Sequence, residues 1–304
     1  MANITTMPFR SICRDMGANL VYTPMLSSNA IIHNSLKTLK IASFLDKEQP
    51  VIVQIFGYDG LLISKAANIV EQEIKPAGID INMGCPAPKI TGNECGSALL
   101  RDYDKALNLA NEVRQRFNGQ LSIKLRLGWV KPDVLKFVRE LEKIGIDSLS
   151  IHGRTAKQGY NGLADWDKID KIARSVSIPV LGNGDITTWQ MVQGKLSGSS
   201  LAGVMIGRGA LGNPWLFKEI KEKKTLTINN DDLIKTIKLQ TMNYIDFTDE
   251  DIAVREMRKH LGWYIKGFPG AADLRKDAMQ VSSIKDIDII LDRLRLLDLG
   301  SILR

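Results

Sequence analysis

Seven short apolar, β-branched runs recur along this chain, and most of them end on a glycine beside a polar side chain. The runs are Leu20–Thr23, Val51–Ile55, Ile79–Asn82, Leu121–Leu125, Ser148–Ile151, Pro179–Leu181 and Val204–Ile206. Helical spacing separates them, over Gly60–Ile74, Lys105–Phe117, Pro132–Ile144 and Trp166–Val176. Near-continuous apolar strands imply that both sheet faces are covered, the mark of a parallel sheet under helices. The groups that follow the runs are Gln54/Gly57, Gly84, Arg126/Gly128, His152/Gly153, Asn183/Gly184 and Gly207/Arg208. In a (β/α)8 barrel such strand ends carry the functional groups, whereas a doubly wound sheet gathers them at one switch point. The expected fold is therefore α/β, a (β/α)8 TIM-type barrel. A barrel needs eight strands and seven are counted. Met7-Pro8-Phe9-Arg10 has the form of a helix start following a first strand, so that strand is expected to be lacking or to lie upstream of Met1.

After Leu226 the strand-like runs stop. Asp231–Tyr244, Ile252–Lys266 and Ile284–Leu299 show apolar spacing of three and four, and Phe268-Pro269-Gly270 breaks the second of these segments from the third. The expected division is a catalytic barrel over residues 1–224 and an all-helical domain over residues 225–304. The first holds 29 basic and 21 acidic side chains, the second 12 and 13. On charge alone a solvated lysine-rich surface explains that excess better than a polyanionic partner such as RNA, though charge does not decide between them. Three cysteines are too few for a disulfide scaffold, no apolar run is long enough to span a membrane, and no secretory signal is visible. The expected compartment is the cytoplasm.

Cys85 lies in Asp80-Ile-Asn-Met-Gly-Cys-Pro, directly after a strand. A lone cysteine is most often a small buried apolar residue, the reading favoured for Cys13 and Cys95. Cys85 differs because Gly84 and Pro86 put it on a loop at the functional end of the barrel. Thiols generally hold their proton at neutral pH and can act as general acids. No second cysteine or histidine stands at metal-ligand spacing. Lys124 sits inside an apolar strand with Arg126 two positions on, along the same face. A buried charge is costly unless paired, so two roles fit: a Schiff-base amine, or a cation beside an anionic cofactor. His152, taken alone, reads as a satisfied core histidine. Asn183-Gly184 and Gly207-Arg208 fall where barrels commonly bind phosphate, and no Gly-x-Gly-x-x-Gly follows any strand.

Asn82-Met-Gly-Cys-Pro, Gly96-Ser-Ala-Leu-Leu, Lys124-Leu-Arg-Leu-Gly-Trp, Ile151-His-Gly-Arg-Thr, Asn183-Gly-Asp and Met205-Ile-Gly-Arg-Gly together resemble the tRNA-dihydrouridine synthases, their bacterial B-type branch above all. Arg258-Lys-His-Leu-Gly-Trp-Tyr and Phe268-Pro-Gly extend the resemblance to the chain's last third. It implies an FMN-dependent barrel that reduces specific uridines of tRNA at the 5,6 bond, with NADPH as electron source. It implies hydride addition at C6, a proton from Cys85 at C5, and a protein that is monomeric when not bound to tRNA. The resemblance assigns Met1, Ala2, Gln54, Lys124, His152, Asn183, Gly184, Asp185, Gly207 and Arg208 to the cofactor. It assigns Asn82, Arg126 and Arg154 to the substrate, and the spacing of the helical domain adds Arg255, Arg258, Lys259 and Lys266. The family's first strand and its Ala-Pro-Met-Ala-Gly turn are matched here only from Met1, with Asn3 at the glycine position. If Ile252–Lys266 is one helix, its four cations form a stripe facing phosphate. Rival readings are a flavin barrel acting on a free pyrimidine, as dihydroorotate dehydrogenase does, an aldolase-like barrel, and a noncatalytic RNA-binding module.

Overall fold

A computed structural model describes residues 1–33, 36–297 and 302–303. Its contacts divide the chain into two compact units. One comprises Met1–Ile4, Leu20–Ile186 and Val192–Gly207, the other Thr5–Asn19, Thr187–Met191 and Arg208–Arg304. The division at the sheet's end falls at Gly207, earlier than residue 224, and the second unit also takes a segment near the N-terminus.

The first unit is built on a parallel sheet. Its strands are β1 (Val21–Tyr22), β2 (Leu26–Ser27), β3 (Val51–Phe56), β4 (Gly78–Met83), β5 (Leu121–Arg126), β6 (Ser148–His152), β7 (Val180–Asn183) and β8 (Gly203–Met205). They run in the order β1-β3-β4-β5-β6-β7-β8, with β2 also on β3. The seven expected runs thus occupy seven neighbouring positions, and among the described residues β8 and β1 are not paired. Val21 pairs with Val51 and Leu26 with Ile55, so five residues span four of the partner and the strand bulges. Pro24 lies in the break. There the Gln54 N–H, which would otherwise meet the ladder, donates to the Thr23 hydroxyl at 3.1 Å.

The strands are not uniformly apolar, which corrects the sequence reading. Val51, Val53, Ile55, Ile79, Ile81, Leu121, Ile123, Leu125, Leu149 and Ile151 are buried, while the positions between them carry Gln54, Asp80, Asn82, Ser122, Lys124, Arg126, Ser150 and His152. One face of the sheet packs under helices; the other is a polar interior. At Gly182 an added Cβ would lie 2.4 Å from the Trp166 ring of helix Trp166–Ala173, which shows how closely the outer layer sits. Helices Gly60–Glu73, Tyr103–Arg114 and Trp166–Ala173 start where Asp59, Asp102 and Asp165 accept a backbone N–H of the first turn, each cap contributing about 1 kcal/mol.

The second unit contains Asn230–Phe247, Glu250–Tyr264, Ala271–Ala278 and Ile284–Leu296, together with Met7–Asp15. The last helix stops short of the expected Leu299, and residues 298–299 lie outside the described ones. Thr6 and Tyr244 hydroxyls are 2.9 Å apart and the Phe9 and His260 rings 5.3 Å apart, so the N-terminal helix belongs to this core. Ala253, Met257, Leu261, Tyr264 and Ile265 are fully buried, as the helical spacing predicts. No described helix is long and apolar enough to cross a membrane.

Candidate active site

Asp80 sits at the root of the polar interior and is fully buried. Its carboxylate accepts from Ser122 Oγ at 2.7 Å and from Gln54 Nε2 at 2.7 Å. A carboxylate oxygen here can only accept, so the Gln54 amide is oriented with its oxygen the other way, and that oxygen accepts from Asn82 Nδ2 at 2.8 Å. Asn82 is oriented in turn. Its Oδ1 accepts the backbone N–H groups of Gly84 at 3.1 Å and Cys85 at 2.9 Å. A continuous chain of hydrogen bonds therefore runs from a buried carboxylate to the loop that carries Cys85. The Cys85 carbonyl accepts from the Ser97 N–H at 3.0 Å. Gly96, at φ +62, lies so close that an added Cβ would be 2.8 Å from that carbonyl oxygen, which only glycine tolerates. Cys85 itself is half-buried, whereas Cys95 is 4% exposed and donates to the Asn93 carbonyl. Burial, then the Glu94 charge, push the Cys95 thiol up.

A second network centres on Asn183. Its Nδ2 donates to the Met205 carbonyl at 2.7 Å, which fixes Oδ1 as the acceptor for His152 Nδ1 at 2.8 Å and Lys124 Nζ at 3.4 Å. His152 therefore carries its proton on Nδ1, and Nε2 faces Arg154 Nη1 at 3.4 Å. Burial, then the Lys124 and Arg126 charges, hold His152 down to about 3, so the ring is neutral at physiological pH. Lys124 is partly exposed and has no carboxylate within ion-pair distance among the described residues. Desolvation brings it down to about 8, against the pull of Asp80. Asp80 moves the other way, up to about 6, because burial outweighs its hydrogen bonds and the Lys124 charge.

Arg126 and Arg154 are 3% and 2% exposed, which changes what they can do for a substrate. Arg126 donates to the carbonyls of Gly84 (2.8 Å), Thr155 (3.0 Å) and Gly159 (2.8 Å), and so ties the Cys85 loop to the loop after β6. Arg154 binds both Asp185 oxygens, at 2.9 and 2.7 Å, and the Gly162 carbonyl at 2.6 Å. Asp185, just past the Gly184 turn, also accepts the Ala164 N–H. Both arginines build the strand-end loops. Met1 lies beside Gly207, its sulfur 3.9 Å from where a Cβ would stand, and Ala2 is exposed next to it. Gly207 closes the first unit and Arg208 opens the 3₁₀ turn of the second.

In the second unit the cation stripe is only partly a stripe. The helix ends at Tyr264, so Lys266 lies beyond it and donates to the Leu211 carbonyl at 3.2 Å. Arg258 donates to the Val281 carbonyl at 2.8 Å, and Lys259 pairs with Glu256. Arg255 is exposed. Sequence reading missed Asp80 as a site residue, along with its partner Ser122. Its available signal was the alternation of polar residues within strands otherwise rich in Ile, Leu and Val. Among the described residues no His, Cys, Asp and Glu gather into a metal-holding group.

A parallel barrel-type sheet with a half-buried thiol, a lysine held by Asn183 and oriented amides at its strand ends has the layout of a barrel enzyme with polar strand-end chemistry. The family model for dihydrouridine synthase (Dus) matches residues 1–297. The chain belongs to that family. It is 36% identical to tRNA-dihydrouridine synthase B of Pseudomonas syringae pv. tomato, over 90% of this chain and 83% of that one. It is 31% identical to a probable tRNA-dihydrouridine synthase of Aquifex aeolicus, over 94% of this chain and 92% of that one. Among solved structures, histamine dehydrogenase from Rhizobium sp. 4-9 superposes with a TM-score of 0.60 at 11% identity, covering 97% of this chain and 60% of that one. A 2-naphthoyl-CoA reductase gives 0.56 over 72% of this chain and 47% of that one, also at 11% identity. These two likenesses establish the fold alone.

Proposed function

We propose that this protein reduces specific uridines of tRNA to dihydrouridine, with FMN held at the strand ends and NADPH as electron source. The observation that carries the reading is a half-buried thiol, its loop fixed by Asn82, at the strand ends of the sheet that also carries Lys124. Family membership supports it. The residues fit an anionic flavin: Lys124 offers a cation with no carboxylate within ion-pair distance among the described residues, and Gly207 leaves its backbone open to close approach. Gln54, Asn183, Gly184, Asp185, Met1 and Ala2 are the other residues assigned to hold it, with Arg208 assigned to its phosphate. When bound, reduced FMN supplies the hydride for C6 of the uracil. Cys85 supplies the proton at C5, where hydride addition leaves enolate character. Lys124 stabilises negative charge beside it. His152, neutral and donating from Nδ1, holds Asn183 in place rather than moving a proton. A target base must leave its stack to reach the site, at a cost of a few kcal/mol, and phosphate contacts to basic side chains such as Arg255 offset that cost.

The test is incubation of the FMN-loaded protein with NADPH and an unmodified tRNA transcript. Gain of two hydrogens on particular uridines is the expected result, and a transcript that stays unreduced while NADPH reduces the flavin would sink the assignment.

Two smaller effects follow. Lys124 loses its charge as pH rises through about 8, so FMN affinity of the apoprotein should fall across that range, and Lys124→Met should flatten the profile. Fluorescence titration of FMN at several pH values measures it; a parallel fall in the Met variant would assign the dependence elsewhere. Arg255→Gln should lower the salt slope of tRNA binding by about one, with helix content unchanged. An unaltered slope would make that helix purely structural.

A further inference from the structure

The strand motif Lys124-Leu-Arg-Leu-Gly-Trp ends on an indole that the chemistry above does not use. Gly128 turns the chain out of β5 at φ +139, and an added Cβ would lie 2.1 Å from the Lys131 carbonyl oxygen, so the turn requires glycine. Beyond it the chain runs alongside residues 154–157. The Leu127 N–H donates to the Arg154 carbonyl at 3.1 Å, the Ala156 N–H to that of Gly128 at 2.8 Å, and the Lys157 N–H to that of Trp129 at 3.0 Å. This ladder fixes Trp129 beside Lys157, whose ammonium is 5.5 Å from the indole centroid. The Arg101 guanidinium lies 4.1 Å from the same centroid.

Arg101, Tyr103, Val130, Lys131 and Asp133 line a depression of about 280 Å³ that the indole borders. Arg101, Lys131 and Lys157 are exposed, and none has a carboxylate within ion-pair distance among the described residues. The depression's one acid, Asp133, accepts from the Tyr103 hydroxyl instead. The indole face holds Arg101 and Lys157 by cation–π attraction, and among the described residues no carboxylate within ion-pair distance neutralises the cluster. Val130, 60% exposed, adds an apolar surface at its edge. A ligand that matches must bring flat rings and anions at short, regular intervals. Single-stranded nucleic acid does, since its bases stack on indole and guanidinium planes while lysines take the phosphates.

We propose that Arg101 and Trp129 form a stacking platform for an unpaired nucleotide of the tRNA, distinct from the uridine reduced, with Lys131 and Lys157 holding the flanking phosphates. This rests on tRNA being the substrate. The probes are an unmodified tRNA transcript and a short oligouridylate, titrated at several salt concentrations against the FMN-loaded protein. Trp129→Ala should weaken binding of both by roughly 5- to 150-fold, the range of one lost base stack, and Trp129→Phe should restore most of it. Arg101→Gln should lower the salt slope by about one. Oligouridylate should quench indole emission in wild type but not in Trp129→Phe. Wild-type affinity and slope in Trp129→Ala and Arg101→Gln would overturn the platform, as would quenching by polyglutamate and not by oligouridylate. Should Trp129→Ala fail to fold by circular dichroism, Arg101→Gln and the Trp129→Phe quenching decide the matter. A wild-type protein that binds tRNA through Trp129 yet forms no dihydrouridine would refute the proposed activity and leave the platform standing.

Discussion

Cys85→Ala is expected to lower dihydrouridine formation by about 10²- to 10⁴-fold, the usual cost of losing a general acid, with FMN still bound. The loop should survive the change because backbone groups fasten it: the Cys85 N–H to Asn82 and the Cys85 carbonyl to the Ser97 N–H. The other two thiols, Cys13 and Cys95, are both buried. Cys95 is 4% exposed, its thiol raised by burial and donated to a carbonyl. Mass analysis of tRNA reacted with the variant measures the loss, and an undiminished yield would remove Cys85 from the chemistry.

Asp80→Asn is expected to change how stability depends on pH by about 3 kcal/mol. In the folded protein Asp80 titrates near 6, above its ordinary 3.8, because burial disfavours the carboxylate. The folded state therefore keeps a proton that the unfolded chain has released, and stability falls as pH rises between about 4 and 6. Two units correspond to about 3 kcal/mol. The Asn variant lacks this slope, so its stability relative to wild type should improve by that amount from pH 4 to pH 7 in urea unfolding. Identical slopes would show that the carboxylate is not the group concerned. The substitution also removes the negative charge that raises Lys124. The lysine should then titrate lower still, and the alkaline fall in FMN affinity should move to lower pH. In addition, the Gln54–Asn82 chain loses its acceptor-only anchor, and Cys85 its fixed orientation.

The seven strands were legible because each is a compact run of branched apolar residues. Their ends agree with the observed β3 to β8 to within two residues or so. Three helices of the last third were legible from spacing alone, but the short helix Ala271–Ala278, directly after the Phe268-Pro-Gly break, was not. Less visible was that the N-terminal helix Met7–Asp15 belongs with them, since a contact such as Thr6 to Tyr244 joins residues that no local pattern relates. Cys85, Lys124, His152 and Asn183 were legible as polar residues out of place in or beside apolar strands. Asp80 stands out in the same way, yet its role comes from three cross-strand neighbours, Gln54, Ser122 and Asn82, whose register is not written in any one segment. The two arginines show the opposite difficulty. A charge at a strand end suggests a ligand, but Arg126 and Arg154 satisfy five backbone carbonyls and one carboxylate between them.

The open order of the sheet has a consequence for how the protein behaves in a crowded solution. Among the described residues β1 and β8 are edge strands, and an edge offers unpaired amides and carbonyls to any passing chain. Both edges are poor templates for such aggregation. On one side Pro24 supplies no amide, and the bulge between Tyr22 and Leu26 throws a straight foreign strand out of step. On the other, β8 has only three residues and begins with Gly203, too short a row to nucleate a cross-chain ladder.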